Sequence, residues 1–131
     1  MHIDQLTNAV ISCCIRIHSK IGPGCFEKVY DELLYYELIK PGFDVKRQLV
    51  MPISYETLYI PHAYKLDFLV ENSLVLELKT ITPLPAVAFE QIRTYLSLME
   101  LKYGMLLNFK VPLMKLGIYR VFNNKGKTTL S

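Results

Sequence analysis

The chain contains no Trp, only three Cys and six Gly. None of its apolar runs approaches the roughly 20 residues that cross a bilayer. Each shortage excludes something. Cys13 and Cys14 are adjacent in an apolar, helix-like pattern and Cys25 stands apart, so an odd cysteine count with this spacing forms no disulfide framework. They are expected to be small buried hydrophobes in a reducing compartment. His2, His18 and His62 show no ligand spacing, which argues against a zinc-type centre, and His62, just after Pro61, reads as structural. The opening MHIDQLTNAVISCCIRIHSK has no basic leader followed by an unbroken apolar stretch. No signal peptide and no membrane association are therefore expected, and a cytoplasmic location is the default. Excess charge is also scarce: 15 Lys and Arg against 12 Asp and Glu give a net charge of +3. That permits an acidic partner without the strong basic footprint of a protein that grips nucleic-acid backbone.

What is present suits a folded domain. The 131 residues are 51% hydrophobic and 21% charged, enough for one core and too apolar for disorder. There is no internal repeat, low-complexity tract or linker, so residues 1–131 read as a single domain with a polar, frayed tail from about 123. Ile3, Leu6, Val10, Cys13, Cys14 and Ile17 recur at helical spacing, predicting a helix from about Asp4 to Lys20. A second helix is predicted from Phe26 to Ile39, ended by Pro41-Gly42. The period then changes to two. Val45, Arg47, Leu49, Met51 and Ile53 are expected on one strand face. A turn at Glu56-Thr57 leads to strands over Ala63–Val70 and Leu74–Thr80. Thr82-Pro83-Leu84-Pro85 opens a helix to about Glu100. The strands Tyr103–Phe109 and Gly117–Phe122 complete an α/β order α-α-β-β-β-α-β-β.

The chemistry concentrates in the second hairpin. If it closes around Glu71-Asn72-Ser73 with Val70 opposite Leu74, then Phe68 opposes Leu76 and Asp67 opposes Glu77. Directly opposed residues share a face with Cβ atoms about 4.5–5.5 Å apart. Stacking the apolar residues on one side thus brings two carboxylates together on the other, with Lys79 two residues further along. Such carboxylates repel, and a divalent cation between them relieves the cost. Oxygen ligands suit Mg²⁺ or Mn²⁺. The ordinary alternative is a solvated ion-pair cluster. Against it stand the nearly continuous apolar runs Phe68-Leu69-Val70 and Leu74-Val75-Leu76, which indicate a sheet covered on both sides, where charge is expensive. Gln91 and Tyr95, four apart, share a helix face, as do Glu27 and Tyr30, three apart.

These residues resemble a known family. Gly24-Cys25-Phe26-Glu27-Lys28-Val29-Tyr30 is similar to the signature of the GxxExxY protein family, within the wider frame Ile21-Gly22-Pro23-Gly24. Asp67 with Glu77-Leu78-Lys79 resembles the D…(D/E)XK core of the PD-(D/E)XK nuclease superfamily, although Leu66 stands where the superfamily name has Pro. Gln91 with Tyr95 resembles the QxxxY motif of exonucleases in that superfamily. The resemblance spans about Asp4 to Asn123. It implies a restriction-endonuclease-like core, a mixed β-sheet flanked by helices. It further implies that Asp67, Glu77 and Glu27 bind Mg²⁺ (or Mn²⁺), that Lys79 positions the attacking water, and that Gln91 hydrogen-bonds near the site or to the substrate. Tyr30 and Tyr95 would contact substrate or pack under the site, and Lys65 and Arg93 would contact substrate phosphate.

The implied function is metal-dependent hydrolysis of phosphodiester bonds in DNA or RNA. The alternative is a catalytically silent module of the same fold that binds nucleic acid or another protein. So small a nuclease has little surface with which to choose a substrate, which leaves room for a targeting partner. Its Tyr-rich, apolar content is compatible with a homodimer.

Overall fold

Helical spacing at the N-terminus produces α1 (Ile3–Ile21), with Leu6, Val10, Cys13, Cys14 and Ile17 as its buried stripe. The computed structural model describes residues 1–124; the tail expected from about 123 lies, from 125 onward, outside them. His2 caps the helix: its Nδ1 accepts the Asp4 amide at 3.1 Å, and Gln5 Oε1 accepts the His2 amide at 3.0 Å. Two amides that the first turn would leave unpaired are thereby satisfied. After α2 (Glu27–Ile39) come β1 (Val45–Tyr55), β2 (Leu58–Val70), β3 (Leu74–Lys79), α3 (Ala86–Met99) and β4 (Tyr103–Asn108). A single 3₁₀ turn, Met114–Gly117, then leads into β5 (Ile118–Phe122). The element order is the expected one; β2 begins earlier than Ala63, so β1 and β2 form a longer hairpin.

The five strands lie in the order β1-β2-β3-β4-β5, antiparallel except for the parallel pair β3–β4. A parallel pair needs a crossover, and α3 supplies it. α1 and α2 pack with Phe68, Val70, Leu74, Leu76, Leu78, Met105 and Leu107 on one face. On the other, α3 packs through Ile92, Tyr95 and Leu96 against Leu66, Leu69, Val75 and Val121. β3 and β4 are buried from both sides, which is why they read as unbroken apolar runs.

The expected facing of β1 and β2 needs one correction. Phe68 and Val70 belong to the α1/α2 side, but Leu66, two residues before Phe68, packs with the α3 side. Opposite it, Val45 packs on the α1/α2 side, whereas Leu49 and Met51 pack on the α3 side. Alternation therefore breaks at Asp67 and at Gln48, and Gln48 sits at φ 52°. A non-glycine residue there is uncommon and needs outside support. The Gln48 amide supplies it by donating to Asp31 Oδ2 on α2 at 2.9 Å. Val45, Arg47, Leu49, Met51 and Ile53 consequently do not share a face.

Behind the sheet, two close approaches fix the frame. A Cβ at Gly117 would lie 1.9 Å from the Asn108 carbonyl oxygen. The Asn108 side chain brackets Ile81, donating to its carbonyl at 2.8 Å and accepting its amide at 3.3 Å. The chain leaving Lys79 is thus held where β3 ends.

Candidate active site

The site forms where β2 parts from β3. Their ladder pairs Val70 with Leu74, Leu69 with Val75 and Phe68 with Leu76, the register read from the sequence, and ends there. Side chains take over from backbone at the next step. Glu77 Oε1 accepts the Asp67 amide at 3.2 Å, and Asp67 Oδ2 accepts the Leu78 amide at 2.8 Å. The two carboxylates are thereby locked across the strands, each using one oxygen for the bond.

Electrostatics follow from that lock. Glu77 is 5% exposed. Burial first, and the neighbouring Asp67 carboxylate second, push its pKa up to about 8. Lys79 partly offsets both effects. Glu27, the first residue of α2, approaches from the other layer. Its pKa is raised by partial desolvation and by the charges of Asp67 and Asp31, and lowered by Lys79. Glu27 and Glu77, from different elements, are thus each brought within electrostatic reach of Asp67 and Lys79.

Tyr30 packs under the site, one of the two places expected for it. It is fully buried and stacks on Phe109 with ring centroids 4.3 Å apart. Its hydroxyl donates to the Gly22 carbonyl and accepts the Cys25 amide at 3.1 Å. Tyr30 therefore clamps the loop that sets the start of α2, and with it the position of Glu27. The spacing of Gly24, Glu27 and Tyr30 then has a physical reason: a loop, a site carboxylate, and an anchor one helical turn on.

Two cavities flank the carboxylates. One, of about 450 Å³, is walled by Glu27, Asp31, Arg47, Gln48, Lys65 and Asp67. The other, a groove of about 610 Å³, is walled by Lys79, Gln91 and Tyr95 together with Tyr64 and Ile53 from the hairpin. Gln91 donates its amide to the Tyr95 hydroxyl at 2.8 Å instead of reaching the carboxylates. Tyr95 stacks on Tyr64 at 4.8 Å. Burial and the charge of Glu77 raise its phenol pKa. Arg93 lines neither cavity and pairs at 2.9 Å with Glu90, which stands in the wall of the groove.

Sequence reasoning missed four residues. Asp31 is four positions after Glu27, and that helical spacing was the available signal. Arg47 bridges Asp31 at 3.5 Å and Glu32 at 3.0 Å. Gln48 and Tyr64 had no local signal, because regular alternation gives neither the kink at Gln48 nor the stack of Tyr64 on Tyr95. Among the described residues, no three His, Cys, Asp or Glu side chains are gathered tightly enough to hold a metal ion as they stand. The donor chemistry nevertheless fits a hard divalent cation. All the donors are carboxylate oxygens, and burial, with Asp67 beside it, makes Glu77 favour a proton.

The sequence model of the PD-(D/E)XK nuclease superfamily matches residues 4–121. The chain belongs to that superfamily, and its three helices and mixed five-stranded sheet are the restriction-endonuclease-like fold. No curated protein and no solved structure matches it. Among the described residues, no helix is long and apolar enough to cross a membrane.

Proposed function

We propose that the protein is a metal-dependent nuclease that hydrolyses phosphodiester bonds of nucleic acid. The observation that carries this reading is the reciprocal lock of Asp67 and Glu77 with Lys79 beside them, placed where the sheet opens onto two cavities. A solvated ion-pair cluster would leave its carboxylates exposed and near their ordinary pKa. Here one is buried and holds its proton near neutrality. Perturbed groups in a cleft mark functional sites.

In this reading Asp67 and Glu77 hold Mg²⁺ or Mn²⁺, and Glu27 completes the acidic set from α2. The cation would replace the proton on the pair and withdraw charge from the scissile phosphate. Lys79 orients the attacking water and offsets charge developing on the phosphate. Lys65, beside Asp67, contacts the phosphate backbone. Gln91 holds Tyr95 in the wall of the groove.

The test is cleavage of labelled single-stranded DNA, duplex DNA and RNA by the purified protein in Mg²⁺, in Mn²⁺ and in EDTA. Folded Glu77→Ala and Lys79→Ala variants run alongside. Metal-dependent cleavage lost in both variants is the expected result. Cleavage of no substrate, with no thermal stabilisation by either cation, would replace this reading with a silent binding module.

A further inference from the structure

The β1–β2 hairpin continues well beyond the sheet. β2 pairs with β3 only through Phe68, Leu69 and Val70, whereas β1 and β2 pair out to Tyr55 and Leu58. The outer part is a two-stranded ribbon, an element of marginal stability in water on its own. One of its faces is apolar. Ile53 lines the groove beside Lys79, and Tyr55, two residues on, shares that face. Ile60 pairs with Ile53 and Leu58 with Tyr55, which puts both on the same side. Tyr55, Leu58 and Ile60 are 67%, 57% and 40% exposed. Tyr59, paired with Ser54, lies on the reverse face.

A continuous track therefore runs from Lys79 past Tyr64, whose ring covers the buried ring of Tyr95, to Ile53 and out along the ribbon. Lysine stands at its inner end. The acid in its wall, Glu90, is paired with Arg93 at 2.9 Å. Lys65, next to Tyr64 in the chain, opens on the other side, beside Asp67. Flat aromatic and apolar surface bordered by positive charge is complementary to a polyanion with exposed π-faces. A base-paired duplex hides those faces in its stack, whereas an unpaired strand presents them.

We infer that this groove and ribbon form a stacking track for the bases of an unpaired DNA strand, which delivers the strand's phosphate to Lys79. The inference rests on the nuclease reading and narrows its substrate to single strands. The strand is taken as DNA because stacking needs only the π-faces of the bases, and the Gln91 amide in the wall donates to Tyr95 and not outward.

Binding is measured with the full chain in EDTA, by fluorescence anisotropy, on single-stranded DNA, the matching duplex and single-stranded RNA. 2-Aminopurine in the DNA strand reports stacking by its quenching. Single-stranded DNA is expected to bind tightest and to show quenching. Tyr64→Leu, which keeps bulk but not the ring, should weaken it about tenfold or more, while Tyr64→Phe stays within about twofold. Tyr55→Ala should weaken it as well, and Tyr59→Ala should not. Circular dichroism checks that each variant folds. Equal binding by Tyr64→Leu and Tyr64→Phe, or an equal loss on duplex, overturns the track. Tighter binding of RNA overturns the choice of DNA. Sedimentation of a dimer that dissociates on Tyr55→Ala assigns the ribbon to a second copy and overturns it too. Stacking without cleavage in metal defeats the nuclease reading alone, and cleavage indifferent to Tyr64 defeats this inference alone.

Discussion

Glu77 holds the backbone amide of Asp67 at 3.2 Å, at the step where the β2–β3 ladder stops. Asp67 returns the bond to the amide of Leu78 at 2.8 Å. The pair thus does structural work, stitching a sheet that is opening, while Asp67 presents its carboxylate to one of the two cavities. Function and local stability can be separated because the hydrogen bonds need only an oxygen, whereas binding a cation needs the charge.

Asp67→Asn keeps an acceptor oxygen for Leu78 and loses the charge. Stability measured in urea should change by no more than about 1 kcal/mol. Nuclease activity, as kcat/KM, should fall on the order of 100-fold or more. A large loss of stability with activity intact would assign Asp67 to the sheet alone.

Glu77 makes stability depend on pH in a defined direction. Its folded pKa, about 8, lies above the ordinary 4.5. The folded state therefore binds the proton more tightly than the unfolded chain does. This contribution is fully present below about 4.5 and is lost as pH rises toward about 8. The melting temperature should fall across that window relative to Glu77→Gln, which stays neutral. Added Mg²⁺ should flatten the fall, because a cation replaces the proton. Parallel curves for the two proteins without metal would refute the protonated pair.

Tyr30→Phe removes the hydroxyl that ties Gly22 to Cys25. A half-buried carbonyl and amide lose their partner, so unfolding in urea should be easier by about 1 kcal/mol. Activity should fall only through misplacement of Glu27. Addition of saturating divalent cation should recover part of it, which a direct substrate contact would not allow.

Gly117→Ala and Gly104→Ala test two close approaches. The new Cβ at Gly104 meets the end of the Ile92 side chain at 2.9 Å, which can move; the cost should be about 1–3 kcal/mol. At Gly117 it meets the Asn108 carbonyl oxygen at 1.9 Å, which is backbone. Gly117→Ala should be the more damaging, and the order of the two denaturation midpoints decides it.

Much of this architecture is determined locally. Apolar spacing alone produces α1, and the Glu71-Asn72-Ser73 turn sets the register that puts Asp67 near Glu77. Burial on both faces makes β3 and β4 read as apolar runs. Such features depend on near neighbours, so they survive translation from sequence to structure. What only the tertiary structure decided depends on contacts between distant segments. The facing of β1 reverses at Gln48 because Asp31 on α2 holds its amide. Tyr30 is buried because Phe109 lies beneath it, and Tyr64 meets Tyr95 because the hairpin crosses α3. Arg93 stands outside the wall of either cavity, paired with Glu90 at the edge of the groove. Period-two alternation assumes a regular strand, and the site lies where the strand stops being regular.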